Sequence, residues 1–572
     1  MAMNTSSKYD NINYKKVLMQ SGPPSIYDLI TKTGKIGTIR KLTLGEKDPT
    51  RINKTILLVG ETGSGKSTLI NSLINYAMGV EFEKNVWYQI VQDEKKSQSE
   101  SQTSDVTVYE VFGLEDKYLP FSLTIIDTPG FGYTKGTEQD VLVSERLLDL
   151  FNSRDGVHEI DAVCLVVKAT DCRLSDHLKN VFDSVVSLFG KDIERSIVAL
   201  ITNSHFFSSE NVLNALKDAH IMCAKDKDDQ PVHFLFNNAQ KTERNKKNEL
   251  ALKYAWVSTE EQISQFADFL KSTTPQDLTK TVEVLNARIG LTACIHNLQE
   301  RIEFIEQKQG VIQQTHEVLK IHEQDMTDIK EFEVEVDEVF KCKEAISERR
   351  WWALGLNYGG AVCCEVCQEN CHHPCTLAWY PEHCEVLQYK CAECNIKCKV
   401  PGHKKEFYCT VCTGKCHVSK HVKEKQCTKC EGKCSDPTHQ KTPWKYVSKT
   451  RKVKKTIQEM KDMYEKGKEE NEKKTSLLET LQENVEKLQE KKDQWLEESF
   501  GHVVKLDETA LKVHSMSTQV QLDFLIKKMK EKRDTEKVKK LEEMQSKMEK
   551  DKRVHQEKRH KSVILGFGKA KK

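Results

Sequence analysis

Thr55-Ile56-Leu57-Leu58-Val59-Gly60-Glu61-Thr62-Gly63-Ser64-Gly65-Lys66-Ser67-Thr68 reads as a buried strand, a glycine turn and the opening of a helix that Leu69 to Met78 continue. The spacing within it is Gly-x4-Gly-Lys-Ser. Gly60, Gly63 and Gly65 let the backbone of Glu61, Thr62 and Ser64 bend so that successive N–H groups point inward around an anionic phosphate. Lys66 is placed to reach β- and γ-phosphate oxygens, and the Ser67 hydroxyl to ligate Mg2+, with Thr68 in the first helical turn. A glycine turn with no ligand needs neither the Lys-Ser pair nor this strand and helix around it. Residues 60–68 are therefore the candidate phosphate site, with Lys66 as its charge-stabilising catalytic group.

Outward from this loop, short apolar runs alternate with helix-length stretches as far as about Gln240. The runs are VTVYEVF (106–112), LTIIDTPG (123–130), AVCLVVKA (162–169), SIVALITN (196–203) and VHFLFNNA (232–239). Runs of this length, rich in Val, Ile and Leu, predict an α/β fold with a mainly parallel sheet covered on both faces. The second run ends in Asp127, which is expected beside the first strand, holding Mg2+ through a water. Gly130 follows, with an N–H able to sense a γ-phosphate. Between these elements lies the polar stretch 93–105 (DEKKSQSESQTSD), the place for a switch loop whose Thr103, or failing that Thr107, would cap Mg2+.

GETGSGKST with DTPGFG resembles the septin and immunity-associated branch of the translation-factor-related GTPases, over roughly residues 50 to 285. RLSDHLKNVFDSVVSLFGKDI and the strand ending in Asn238 are similar to that branch as well. The resemblance implies a P-loop G domain that binds GTP with Mg2+ and switches by nucleotide-dependent dimerisation. Phe131 stands where Ras-like enzymes carry a water-orienting Gln, which implies slow hydrolysis by a lone subunit. The guanine-reading position departs from the usual pattern, because Thr202-Asn203-Ser204-His205 offers no carboxylate to accept from the base. Asn203 or Asn238 is left to contact it, and ATP stays open as the alternative nucleotide.

Residues 364–439 carry an internal repeat. Cys391-x2-Cys394-x3-Cys398-x4-His403 is followed by Cys409, Cys412, Cys416 and His421, then by Cys427, Cys430, Cys434 and His439, at the same spacing. Three thiolates and an imidazole form the ligand set of a closed tetrahedral zinc site. Cys364, Cys367 and Cys371 begin a fourth unit that Cys375 or a nearby His closes, giving about four Zn2+ sites. Little apolar sequence separates them, so the metal must supply the folding energy. Lysines between the knots suggest nucleic acid, but aromatic stacking platforms are few, and protein partners or self-association rank ahead of it.

Composition bounds the rest. Of 572 residues, 30% are charged, too many for a single globule. Residues 389–443 carry 12 Lys against 5 acids and residues 444–572 carry 34 Lys plus Arg against 24. Taking +7 and +10 from the overall +2 leaves −15 for residues 1–388. No stretch of about 20 apolar residues predicts a membrane span, and the many cysteines, read as metal ligands, point to a reducing cytoplasm. Proline is absent from 276 to 373 and after 443. Leu291, Ile295, Leu298, Ile302 and Ile305, then Val453, Ile457, Met460 and Tyr464, then Leu478, Leu481, Val485 and Leu488, repeat at 4,3 spacing. The expected organisation is an N-terminal extension (1–50), the G domain (51–280), a helical or coiled-coil segment (281–350), the zinc repeats (360–443), a second helical segment (444–560) and a basic tail (561–572). The two helical segments would form a stalk that supports homodimers or larger assemblies. The expected function is a slow GTPase that recruits partners, the alternatives being a nucleotide-binding scaffold without turnover and a zinc-knuckle nucleic-acid module.

Overall fold

The computed structural model describes residues 15–37, 39–91, 105–112, 118–130, 136–153, 155–170, 182–206, 210–218, 221–321, 333–346, 360–366, 368–373, 389–390, 397–398, 439–456, 477–513 and 516–547. The chain divides into two units, one of residues 1–289 with 504–524 and 538–572, the other of residues 290–503 with 525–537.

The first unit is built on strands β1 (Lys16–Gln20), β2 (Ser25–Leu29), β3 (Lys32–Ile36), β4 (Ile39–Leu44), β5 (Asn53–Gly60), β6 (Val86–Gln89), β7 (Thr107–Val111), β8 (Ser122–Asp127), β9 (Glu159–Ile160), β10 (Ala162–Lys168), β11 (Ile197–Thr202), β12 (His233–Leu235) and β13 (Gln276–Asp277). Eight of them form one sheet in the order β12-β11-β10-β5-β8-β7-β4-β3. All neighbours from β12 to β8 are parallel, while β7 runs antiparallel to β8. Period-two alternation explains why these strands are apolar throughout. Ile56 and Leu58 enter one core with Leu69, Leu73 and Phe266, while Leu57 and Val59 enter the other with Leu147, Phe151 and Phe189. Helix α1 (Lys66–Ala77) follows β5, and α2 (Gly136–Asn152) follows β8.

Three features of the structure bear on the expected organisation. Residues 16–44 are not an extension outside the domain: β4 pairs in parallel with β7, β3 pairs with β4, and β2 pairs with β6. Ile36, Ile39 and Leu44 from this stretch are buried.

Residues 504–524, expected in a separate stalk, fold with the α/β unit. The buried Arg288 guanidinium donates to Ser187 O at 2.8 Å, Thr518 Oγ1 at 2.8 Å and Lys512 O at 3.0 Å. Lys512 pairs with Asp183 at 2.5 Å.

The third concerns the second unit, where residues 333–345 and 444–456 are strands. β14 (Glu333–Ala345) and β20 (Trp444–Thr456) form a two-stranded antiparallel ribbon, so Val453 lies in a strand. Alternation at Glu333-Val334-Glu335-Val336 and opposite charges on the two strands, Arg451 directly opposite Glu338 and Lys449 paired off-register with Glu344, favour the ribbon over a helix. Ile457, Met460 and Tyr464 lie outside the described residues.

Helices do cover Thr279–Ile321 and Leu477–Thr509. Gly290 lies against His502, and Cys294 lies near both Glu498 and His502, so the two helices run antiparallel. Leu291, Ile295, Leu298, Ile302 and Ile305 are all buried within this one chain. β15 (Ala361–Cys364), β16 (Glu369–His372) and β19 (His439–Thr442) form a small sheet, and β17 (Tyr389–Lys390) pairs with β18 (Lys397–Cys398). Among the described residues, no helix is long and apolar enough to cross a membrane.

Candidate nucleotide-binding site

The loop 60–65 joins β5 to α1 at the C-terminal edge of the parallel strands. Gly65 has φ 93°, in the left-handed region, and a Cβ there would stand 2.3 Å from Asn238 Nδ2. Gly60 is equally constrained, since a Cβ would meet Val166 O of β10 at 2.5 Å. No acidic side chain occupies the first turn of α1. The positive end of that helix and its first N–H groups are thus left for an anion.

Lys66 is buried and donates from Nζ to Gly60 O at 2.8 Å and Glu61 O at 3.1 Å. Burial pushes its pKa down to about 8, and the Asp127 and Glu61 carboxylates oppose the shift. The ordinary value is 10.5, so the free site loses this proton as pH rises through about 8, while a bound phosphate needs the ammonium form. Nucleotide affinity is therefore expected to weaken by about tenfold per pH unit above 8. Fluorescence titrations with a labelled nucleotide across that range check it, and a flat profile contradicts it.

Asp127 is fully buried at the end of β8, in register with Leu58 of β5 on one side and Thr107 of β7 on the other. Thr128 donates its hydroxyl to Leu58 O at 2.9 Å. Gly130 lies against the phosphate loop: a Cβ would stand 2.3 Å from Thr62 Oγ1 and 2.6 Å from Thr62 N. Ser67 is half-buried at the start of α1, beside the half-buried Thr68. Thr103 lies outside the described residues, whereas Thr107, the second choice, is buried opposite Asp127. Asp105 is tied to Arg146 of α2 at 2.8 Å, so the polar stretch before β7 ends on a nearly buried ion pair.

Thr62 Oγ1, Ser64 Oγ and Asn238 Oδ1 are buried with no hydrogen-bond partner among the described residues. Burying such groups without partners is unfavourable, and here they cluster on one cradle with Lys66. The residues therefore fit a magnesium-bound nucleoside triphosphate, with Ser67 and Asp127 as the groups that would hold the ion. Mg2+ held there would offset the negative charge of the phosphate tail.

On the base side, two loops converge. Asn238 has φ 65° and its amide faces Gly65 O at 3.4 Å, while Asn237 donates to Ser204 O at 2.8 Å. Thr202, read as part of the base-contacting loop, instead donates its hydroxyl to Ser64 O at 2.6 Å. It braces the phosphate loop, a role that spacing alone does not reveal. Asn203 and His205 are exposed, and Phe206 packs edge-on to Tyr254 at 6.2 Å.

Of the zinc candidates, Cys364 lies in β15, Cys371 in β16, Cys398 in β18 and His439 in β19. Cys367, Cys375, Cys391, Cys394, His403, Cys409, Cys412, Cys416, His421, Cys427, Cys430 and Cys434 lie outside the described residues. Cys364 is directly opposite His439 in register, so the two ends of the repeat array meet on one sheet. Cys363 points the other way and donates to Asn370 Oδ1 at 3.4 Å, with burial pushing its thiol up to about 11.

A model of the AIG1 family matches residues 54–253. Septin-1 of Drosophila melanogaster is 35% identical over 78 residues, a stretch that spans 14% of this chain and 19% of that septin. Among solved structures, Toc33 from Arabidopsis thaliana in complex with Mg2+ and GMPPNP is 20% identical, covering 40% of this chain and 88% of that one at a TM-score of 0.29. A structure reported under the statement that dimerization is important for the GTPase activity of the chloroplast translocon components Toc33 and Toc159 is 21% identical, covering 40% and 87% at a TM-score of 0.28. The AIG1 match spans the phosphate loop, Asp127, Gly130 and Asn238. It supports a P-loop GTPase-type domain similar to that family over residues 54–253.

Proposed function

We propose that the α/β unit binds GTP with Mg2+ and hydrolyses it slowly, switching by self-association across its nucleotide face. The carrying observation is the cradle itself: buried Lys66 and Asp127 with the orphaned hydroxyls of Thr62 and Ser64 on one loop. Phe131 in place of a water-orienting Gln leaves hydrolysis to be completed by a group from elsewhere, and a second copy can supply it. In this reading the cysteine repeats hold Zn2+ and present a surface to protein partners in the cytoplasm, with nucleic acid the less favoured ligand. The test is phosphate release at several protein concentrations. The rate per subunit is expected to rise with concentration and to fall to background in Ser67→Ala. Turnover that ignores Ser67→Ala contradicts the proposal.

A second reading is supported by the base-side loop, where His205 stands in place of the usual carboxylate. It takes the domain as a nucleotide-holding scaffold without turnover, or one that accepts ATP. Multiple-turnover phosphate release from GTP rules out the scaffold.

A further inference from the structure

We propose that Cys294, Glu498 and His502 form a zinc site that clamps the two long helices of the second unit, separate from the cysteine repeats. Their ligating atoms all lie within 4.8 Å of one another. Tetrahedral zinc with one sulfur ligand and nitrogen or oxygen at the others holds its donors about 3.3–3.8 Å apart at its usual bond lengths, so rotamer adjustments of about 1 Å close the set.

The sequence places these donors where such a site needs them. Glu498 and His502 are four residues apart, on one face of helix Leu477–Thr509. Cys294 approaches from the antiparallel helix Thr279–Ile321. Gly290, one turn before Cys294, leaves the slot for the imidazole: a Cβ there would come within 2.6 Å of His502 Cε1. A side chain at 290 would push the ring away from the thiol.

The surroundings sharpen the choice of ligand. Cys294 is buried, and Leu291, Leu298, Leu496 and Val503 of the same two helices are fully buried. Glu498 and His502 stay partly accessible, so an ion held against the buried thiol can be reached from solvent. One thiolate and one carboxylate balance a divalent ion, the imidazole stays neutral, and the site carries no net charge. Binding releases the Cys294 thiol proton to solvent. The mixed sulfur, nitrogen and oxygen set suits Zn2+ and is a poor match for Mg2+ or Ca2+. Three protein ligands leave a fourth position for water.

The experiment compares zinc content per chain, by elemental mass spectrometry, in the full-length protein and in Cys294→Ala, Glu498→Gln and His502→Gln, all with the repeat cysteines intact. Each variant is expected to carry about one zinc less than the parent, and the triple variant no less than a single one. Equal content in all of them overturns the proposal and leaves a hydrogen-bonded trio between helices. Should the variants fail to fold, alkylation of Cys294 in the parent, read by peptide mass spectrometry, decides. It is expected to slow about tenfold when Zn2+ is present, and an unchanged rate overturns the site.

Discussion

Lys66→Ala is expected to weaken GTP binding about 100-fold while leaving the fold intact. The ammonium is buried inside the phosphate loop, held by Gly60 O and Glu61 O. A charge-assisted contact to a phosphate contributes about 3 kcal/mol, and each 1.4 kcal/mol is about tenfold in affinity. The folded state does not depend on it, because in this site burial already opposes the charged form. Removing the side chain takes away an ammonium that only the bound anion fully satisfies. Isothermal titration of the parent and variant with Mg-GTP, alongside their thermal melts, makes the check. A variant that binds as tightly as the parent contradicts the assignment of the loop.

Asp161→Ala is expected to destabilise the α/β unit by about 3–5 kcal/mol, the range for removing one member of a buried ion pair. Asp161 Oδ1 accepts from Lys54 Nζ at 2.8 Å and Oδ2 from Thr55 N at 2.7 Å. Lys54 also donates to Thr273 O at 2.9 Å. Both side chains are buried. The pair fastens the start of β5, the strand that delivers the phosphate loop, to the entry of β10 and to the end of helix Glu249–Ser272. Without the carboxylate, an ammonium is left buried with a single carbonyl, and Thr55 N–H has no acceptor. Denaturant unfolding of parent and variant measures the loss, and a change below about 1 kcal/mol contradicts the account. Replacing both partners with apolar residues of similar size is expected to cost far less than removing Asp161 alone.

Much of the α/β unit was legible because its signals are local. A run such as Thr55 to Gly60 carries its own strand propensity and ends in a glycine pattern that has one chemical use. Asp127 and Gly130 followed from the apolar run 123–130. The strands Lys32–Ile36 and Ile39–Leu44, which finish one side of the sheet, were harder to read, since lysines and a glycine make them resemble a polar extension. Their membership depends on pairing with β7, about 65 residues away. The residues of β14 and β20 fall in stretches that read as helical because proline is absent and Val453 opens a run at 4,3 spacing. Strand pairing between residues 99 to 123 apart, with acids opposite bases, leaves no heptad signature. Arg288 shows the same limit. It sits in a helix of ordinary composition, and its bonds to Lys512 and Thr518 depend on a segment more than 200 residues later. Thr202 was visible as a residue, but its role as a brace for Ser64 O appears only when β11 and the loop are brought together.

The most direct test of the central claim is equilibrium titration of the full-length protein with GTP, in the presence of Mg2+ and again with the metal chelated. Saturable binding at one site per chain, weakened at least about tenfold by removal of the metal, is the predicted result. No measurable binding of GTP, or binding that ignores both Mg2+ and the substitution of Lys66, would contradict it.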